Sequence, residues 1–184
     1  MEILATAIPE VKLIVPRRFT DHRGFFCELY HKRRFAEAGM AGEFVQDNCS
    51  VSRQRGVVRG LHYQIPPAAQ AKLIWVMRGV IFDVVVDLRR SSATFGRHVA
   101  MVLSAAEGRQ LFVPEGFAHG FAALEKDTEV HYKTSAYYNP EHERGIFWND
   151  PALGIAWPIG PEEAILSEKD AHLPPLAQQP DLFP

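Results

Sequence analysis

The sequence lacks the features that would mark a secreted, membrane-bound or nucleic-acid-binding protein. It has only two cysteines in 184 residues, Cys27 and Cys49, and they show neither a CxxC motif nor zinc-ligand spacing. No stretch of 18 apolar residues occurs, and the N-terminus has no basic segment followed by a long apolar run. The net charge of -2 gives no reason to expect a polyanion such as DNA as partner. We therefore expect reduced cysteines, a cytoplasmic location, and no contact with nucleic acid or membranes.

Repeats, low-complexity tracts and linkers are also missing, so we expect residues 1–184 to form one domain. Hydrophobic residues make up 47% of the chain, which is enough to bury a core. Short runs rich in β-branched and aromatic residues recur between turn residues, at 11–15, 25–30, 44–51, 72–77, 80–88, 98–103, 110–114, 120–124 and 128–133. This spacing predicts an all-β sandwich or barrel.

The remaining segments predict turns and a little helix. HKRRFAEA (31–38) is expected to be helical and to end at Gly39, and a second helix is expected at 161–166. Arg78 and Gly79 separate two apolar runs and predict a hairpin turn. The proline-rich C-terminal tail is expected to be mostly irregular and to cover the sheets.

Polar residues interrupt the apolar pattern in the segment RGLHYQ. Alternate residues of a strand face the same side, which groups Gly60, His62 and Gln64 on one face, and Arg59, Leu61 and Tyr63 on the other. In TEVHYK (128–133), Val130 and Tyr132 share a face in the same way. The ordinary interpretations are a solvent-facing His62 and a core Tyr132 whose hydroxyl reaches the surface.

The segment VPEGFAHGF (113–121) favours a different interpretation. Its PxGxxH pattern resembles the second motif of the cupin superfamily, which consists of small jelly-roll barrels, and it supplies His119. Metal-dependent cupins bring two further histidines as HxH in a first motif, but here Gln64 stands two positions after His62. The next candidate, Lys72, is a cation that would repel a metal. The pattern thus predicts a barrel pocket without a metal.

Histidine, lysine and tyrosine in such a pocket can move protons without a metal. Imidazole accepts a proton near neutral pH, and a lysine ammonium stabilises a developing enolate oxygen in a water-poor site. A tyrosine hydroxyl, with a pKa of about 10, can reprotonate a strongly basic carbanion. Together these groups favour proton abstraction next to a carbonyl and return of the proton to the opposite face, which is an epimerisation.

The chain resembles the dTDP-4-dehydrorhamnose 3,5-epimerases from about residue 4 to residue 173. The ordered set of motifs is specific, whereas PxGxxH alone is shared by unrelated cupins. The motifs are DHRGFFCELY (21–30), FVQDNCSVS (44–52), GVVRGLHYQ (56–64), AQAKLIWVMRG (69–79), DVVVDLRRSSATFG (83–96), VPEGFAHGF (113–121), VHYKTSAYYNPEHERGIFWNDPALGIAWP (130–158) and LSEKD (166–170).

The resemblance implies an acid–base mechanism and a jelly-roll fold of two antiparallel sheets with a few short helices. His62 matches the family's general base, and Asp170 matches the carboxylate that orients it. Lys72 matches the lysine that faces the C4 keto oxygen, and Tyr132 matches the general acid. Taken by sequence position alone, Asp170 would instead be interpreted as a solvated turn residue.

The resemblance also implies the binding residues and the partner. The expected substrate is a dTDP-linked 4-keto-6-deoxyhexose, with no cofactor and no metal, and the expected assembly is a homodimer in which N-terminal strands join the partner's sheet. Arg23 and Arg59 match phosphate and nucleotide contacts, because guanidinium groups suit phosphate oxygens. Tyr138 matches an aromatic residue that stacks on thymine. The other residues at family contact positions are Glu28, Gln46, Asp47, Asn48, His119, Glu143 and Lys169.

Several alternatives stay open at this point. Relatives of the same fold invert only C3 or only C5, or accept another nucleotide sugar. A non-catalytic sugar-nucleotide-binding cupin would need no acid at Tyr132. A metal-dependent cupin is disfavoured by Gln64.

Overall fold

The computed structural model describes residues 1–40 and 43–184 and is built mainly from short strands. In chain order the strands are β1 (Glu2–Ala5), β2 (Lys12–Val15), β3 (Arg18–Asp21), β4 (Gly24–Cys27), β5 (Gln46–Ser52), β6 (Val58–Gln64), β7 (Lys72–Arg78), β8 (Val80–Asp87), β9 (His98–Ser104), β10 (Gln110–Val113), β11 (Phe117–Ala123), β12 (Thr128–Thr134) and β13 (Glu143–Gly145). Two short α-helices, α1 (Lys32–Glu37) and α2 (Glu168–Ala171), and two 3-10 turns complete the fold.

The strands form two large antiparallel sheets and one separate hairpin. The first sheet has six strands in the order β1-β2-β10-β7-β12-β5, and the second has five in the order β13-β6-β11-β8-β9. Among the described residues, strands β3 and β4 pair only with each other. The predicted mostly-β class with two antiparallel sheets and few helices is therefore confirmed.

The main core lies between the two large sheets, because the inward residues of both are mostly apolar. Ile74 and Val130 contribute from the six-stranded sheet, and Val85 and Phe121 contribute from the five-stranded sheet. None of these side chains is more than 4% exposed. Burying an apolar side chain of this size contributes about 1.5–3 kcal/mol. Tyr132 packs against the same cluster, as the alternation in β12 predicts.

The predicted helix over 31–38 is confirmed by α1, and Gly39 follows it in the left-handed conformation at a φ of +73°. The predicted helix over 161–166 is wrong. Ile165 instead forms a β-bridge with Val57, and a short helix begins only at Glu168. Tertiary pairing thus outweighs a weak local helical preference.

The predicted hairpin at Arg78 and Gly79 is also wrong. A tight turn is present, but it leads from β7 in the six-stranded sheet to β8 in the five-stranded sheet. The strand predicted at 25–30 ends at Cys27, and β1, β3 and β13 were not predicted because their short sequences show little apolar alternation. Cys27 and Cys49 carry free thiols. No helix in the described ranges is long and apolar enough to cross a membrane.

The C-terminal tail is mostly irregular, as predicted, and it covers the five-stranded sheet. The hydroxyl of Tyr63 donates to the Asp181 carbonyl at 2.8 Å, and Phe183 forms a bridge with Arg89. These contacts hold the last residues against the outer surface that Leu61 and Tyr63 share.

Candidate active site

A cavity of about 440 Å³ opens between the inner surfaces of the two large sheets. His62 on β6 and His119 on β11 line the wall that the five-stranded sheet provides. Lys72 on β7 and Tyr132 on β12 line the wall that the six-stranded sheet provides. The sequence-predicted base and acid therefore face one cavity from opposed walls.

His62 is paired with Asp170 in the lining of the cavity. The Nε2 atom of His62 lies 2.6 Å from Oδ1 of Asp170, and the carboxylate is almost fully buried. Ser167 caps helix α2 by accepting a bond from the Asp170 backbone N–H at 3.1 Å, which fixes the position of Asp170. Asp170 is thus a buried partner of the imidazole and not a solvated turn residue.

The charge of Asp170 follows from these contacts. Burial alone would raise the pKa of this carboxyl, but hydrogen bonds from His62, from the Gly60 backbone and from Ser167 outweigh burial and hold the pKa below its usual value. The carboxylate is therefore ionised at neutral pH. An ionised carboxylate at this position would stabilise a positive charge on the His62 ring.

Arg59 lines the same cavity as His62, which strict alternation along β6 does not predict. The pairing of β6 with β11 shifts register, since His119 lies opposite His62 but Phe121 lies opposite Arg59. Three steps along β6 therefore correspond to two steps along β11. At this irregularity the alternation of β6 side chains between the two sides of the sheet is interrupted. The expectation that Arg59 and His62 lie on opposite faces is wrong for this reason.

Lys72 is the buried cation of the site. Its Nζ donates to the His62 carbonyl at 3.1 Å, and its side chain is only 8% exposed. Desolvation lowers the pKa of Lys72 to about 8, although Glu143 and Asp83 oppose the shift by their negative charge. An ammonium in such a place is a strong donor to an oxygen atom that gains negative charge.

Tyr132 is suited to hold and deliver a proton. Desolvation raises the pKa of its hydroxyl, and the positive charge of Arg59 opposes that shift only in part. The hydroxyl is therefore protonated at neutral pH. Its ring packs on the core, which limits the directions in which the hydroxyl can point.

His119 is held by Asp83, a residue that the sequence reasoning missed. The Nε2 atom of His119 lies 2.9 Å from Oδ2 of Asp83, and Asp83 is completely buried. An aspartate in the middle of the apolar run VIFDVVVDL was the available signal, because carboxylates are almost never fully buried unless they are paired. The site therefore contains two histidine–carboxylate pairs, His62–Asp170 and His119–Asp83.

Five further predicted residues form a connected rim beside the cavity, namely Gln46, Asn48, Tyr138, Glu143 and Lys169. Gln46 donates to Asn48 at 2.8 Å and accepts from the backbone N–H of Tyr138 at 2.9 Å. The Tyr138 hydroxyl donates to Glu143 at 2.7 Å, and the Lys169 ammonium lies 2.5 Å from the same carboxylate. Burial would raise the pKa of Glu143, but these two bonds outweigh it and lower that pKa. Of the five, Lys169 also lines the cavity.

Three further predicted residues belong neither to the cavity lining nor to the connected rim. Asp47 lies on the outer face of the six-stranded sheet, where its carboxylate pairs with Lys133 at 2.6 Å. Arg23 lies in the turn between β3 and β4 and pairs with Asp21. Glu28 follows β4 and pairs with Arg34. Their expected contacts with substrate stay predictions.

Gln64, which replaces the second histidine of the metal-binding cupin motif, has a structural role. Its side-chain amide donates to the backbone carbonyls of Ala68 and Tyr137, and its oxygen accepts from the Asn139 backbone N–H at 2.8 Å. All three bonds hold loops next to the rim. Gln64 thus supports Tyr138 indirectly by fixing the residues on either side of it.

His62, with its buried carboxylate partner, and Tyr132 thus face one cavity from two antiparallel sheets, an arrangement that suits acid–base chemistry. The model of the dTDP-4-dehydrorhamnose 3,5-epimerase family matches residues 5–178. The epimerase of this name from Pseudomonas aeruginosa is 52% identical over the full length of both chains. The chain belongs to the dTDP-4-dehydrorhamnose 3,5-epimerase family.

Two solved structures carry the comparison to three dimensions. One is a dTDP-6-deoxy-D-glucose-3,5-epimerase from Legionella pneumophila in complex with dTDP-4-keto-L-rhamnose, which is 46% identical in sequence and superposes with a TM-score of 0.92. The aligned region covers 96% of this chain and 93% of the Legionella chain. The other is a 3'-monoepimerase from Streptomyces bikiniensis in complex with dTDP-quinovose, which is 35% identical in sequence and superposes with a TM-score of 0.86. The aligned region covers 94% of this chain and 87% of the Streptomyces chain. The fold is thus shared by enzymes of different carbon selectivity.

Proposed function

We propose that the chain converts dTDP-4-dehydro-6-deoxy-D-glucose to dTDP-4-dehydro-L-rhamnose by inverting C3 and C5, as a step of dTDP-L-rhamnose biosynthesis. The observation that carries this proposal is the position of His62 and Tyr132 on opposed sheets around one cavity. A hexose ring bound between the sheets would present one face to each residue. The greater identity to the 3,5-epimerases than to the monoepimerase supports inversion at both carbons.

The chemistry begins with removal of a proton next to the C4 ketone. His62 accepts the proton from C3 or C5, and the ionised Asp170 stabilises the resulting imidazolium. The electron pair of the broken C–H bond moves into the enolate, whose oxygen receives a hydrogen bond from the Lys72 ammonium. Tyr132 then donates its hydroxyl proton to the opposite face of the carbon.

Each inversion leaves His62 protonated and Tyr132 ionised. Both groups must exchange protons with solvent before the next inversion, so solvent hydrogen enters the sugar at each inverted carbon. Arg59 lies near Tyr132 and its positive charge stabilises the transient phenolate. One active site can therefore invert both carbons, one after the other, without a redox cofactor.

The nucleotide half of the substrate needs donors for the diphosphate and a surface for the base. Arg59 and Lys169 supply positive charge at the cavity. Tyr138 is half exposed on the rim and is anchored through Glu143, which suits an aromatic ring that stacks on thymine. Tyr137 is more exposed and contributes only its backbone carbonyl to the rim.

We infer a homodimer from the hairpin formed by β3 and β4. Phe19, Phe25 and Phe26 are 51%, 59% and 69% exposed on this hairpin. Contiguous exposed aromatic residues mark an interaction surface, and burying each ring would contribute about 2 kcal/mol. Strand β5 is an edge strand of the six-stranded sheet and offers unpaired backbone groups to a second copy.

The same hairpin carries Arg23 at its tip, and Glu28 follows it directly. Both residues lie outside the cavity of their own chain. Docking of the hairpin along β5 of a second copy would bring them to that copy's Gln46 and Asn48, at the rim. The dimer would then complete the diphosphate site in trans. A cytoplasmic location, where nucleotide sugars are made, is expected for this function.

The experiment is NMR of the wild-type reaction with dTDP-4-keto-6-deoxyglucose in deuterium oxide. Deuterium at both C3 and C5, followed by conversion to dTDP-L-rhamnose with a 4-ketoreductase, supports the proposal. Deuterium at one carbon alone would identify a monoepimerase. Binding of dTDP without any exchange would identify a non-catalytic binding protein, and loss of exchange after exhaustive chelation would identify a metal-dependent cupin.

A further inference from the structure

A cluster of three potential metal ligands lies on the outer face of the six-stranded sheet. Cys49 on β5 and His131 on β12 are direct cross-strand partners, and Glu129 lies two residues before His131. Because Val130 and Tyr132 point inward, the odd-numbered residues of β12 point away from the cavity. The proposed catalytic mechanism uses none of the three residues.

The donor atoms of this cluster are already close together. Oε1 of Glu129 lies 2.7 Å from Nε2 of His131 and 3.7 Å from Sγ of Cys49. The three donor atoms, one from each side chain, all lie within 4.8 Å of one another. Small side-chain rotations would therefore place all three about 2.0–2.3 Å from a single ion.

We propose that Cys49, Glu129 and His131 form a binding site for Zn²⁺ that is separate from the epimerase cavity. A thiolate, an imidazole and a carboxylate suit a borderline-soft divalent cation, and three protein ligands leave a fourth position for water. The site is partly exposed, so an ion can enter without opening of the fold. Zinc would link edge strand β5 to its neighbour β12.

The surroundings of the site favour a cation. Lys133 is the next side chain of β12 on this face, but its ammonium is paired with Asp47 at 2.6 Å. Arg78 acts on Glu129 only at longer range. The Trp75 ring packs against the His131 ring at a centroid distance of 6.0 Å, which limits the ring's movement. Trp75 also provides a fluorescent reporter next to the site.

The test is isothermal titration of the full-length, chelator-stripped protein with Zn²⁺, together with titration by Co²⁺. We expect binding of one equivalent of Zn²⁺ per chain and a thiolate-to-Co²⁺ charge-transfer band. We also expect Co²⁺ to quench tryptophan fluorescence, and Trp75→Phe to reduce this quenching. Cys49→Ser and His131→Gln should each weaken Zn²⁺ binding at least about tenfold. Cys27→Ser is the matched control and should bind as the wild type does.

Two results would overturn the proposal. One is the absence of stoichiometric Zn²⁺ binding by the wild type. The other is equal Zn²⁺ affinity in the wild type, Cys49→Ser and His131→Gln, which would indicate binding elsewhere. Circular dichroism of each variant without zinc checks that the substitutions leave the sheets intact. Because none of these readouts depends on substrate, the result is independent of the proposed epimerase function.

Discussion

His62 and Asp170 lie 108 residues apart in the chain, yet Nε2 of the histidine is 2.6 Å from the carboxylate of the aspartate. The histidine belongs to β6, the second strand of the five-stranded sheet, whereas the aspartate belongs to a four-residue helix near the C-terminus. The His62–Asp170 pair, the proposed general base and its partner, therefore forms only when the C-terminal segment is docked on the sheet.

Replacing Asp170 by Asn should lower kcat by about 10²–10⁴ with little change in KM. The reason is that an amide would not stabilise an imidazolium at His62 as a carboxylate does, while the proposed nucleotide contacts lie elsewhere. Steady-state kinetics separate the two constants. Ser167→Ala is the matched control, since it removes the helix cap but keeps the carboxylate, and it should mainly reduce stability by about 1 kcal/mol. A loss confined to KM in Asp170→Asn would argue against the pairing role.

Lys72→Met should change how stability depends on pH. The pKa of Lys72 is about 8 in the folded protein, whereas the ordinary lysine value of 10.5 applies to the unfolded chain. Between these two pH values the unfolded chain therefore binds more protons than the folded protein. Wild-type stability should therefore rise relative to Lys72→Met as pH increases from about 8 to 10.5, by about 3 kcal/mol at most. Urea unfolding of both proteins at pH 7 and pH 10 measures this. A stability difference independent of pH would rule out a lowered pKa at Lys72.

Phe26→Asp should convert the proposed homodimer to monomers at micromolar concentration. A charge in the centre of the exposed aromatic hairpin would have to be desolvated on association. Light scattering measures the change in mass. Phe95→Asp is the control, because Phe95 is also partly exposed but lies between β8 and β9, away from the hairpin. Retention of the dimer by Phe26→Asp, or a monomeric wild type, would show that the hairpin is not the interface.

Mixing Arg23→Ala with His62→Ala should restore activity if Arg23 acts in the partner's cavity. Each mixed dimer then has one site with both wild-type residues, which gives about a quarter of wild-type activity after random exchange of subunits. The measurement is turnover after the two inactive proteins are mixed and re-equilibrated. If Arg23 acted in its own chain, each site of a mixed dimer would lack either Arg23 or His62, so no recovery would be seen.

The fold was largely readable from the sequence, since apolar alternation located most strands of both large sheets. The sequence pattern does not show which sheet each strand joins. For this reason Arg78 and Gly79 were interpreted as a hairpin turn, although the strands on either side of them lie in different sheets. Local pattern also could not reveal the register shift that turns Arg59 toward the cavity, because this shift depends on the pairing with β11. Both errors concern partners that are distant in sequence.

The proposed catalytic set was predictable only through its motifs. His62 and Tyr132 stood out as polar groups on apolar strands, but Asp170 looked like a surface residue until its contact with His62 was known. Asp83 was missed because nothing nearby in sequence pairs with it; its partner His119 lies on the next strand of the sheet. Residue pairs of this kind require the three-dimensional structure.

Proton transfer across the cavity is tested most directly by deuterium incorporation from D₂O into dTDP-4-keto-6-deoxyglucose, followed by NMR for two variants. His62→Ala should incorporate almost no deuterium at C3 or C5, because the base is gone. Tyr132→Phe should still lose the substrate proton but should form far less inverted product, because the acid on the opposite wall is gone. Wild-type exchange in His62→Ala, or normal inversion in Tyr132→Phe, would contradict the assignment of the two residues.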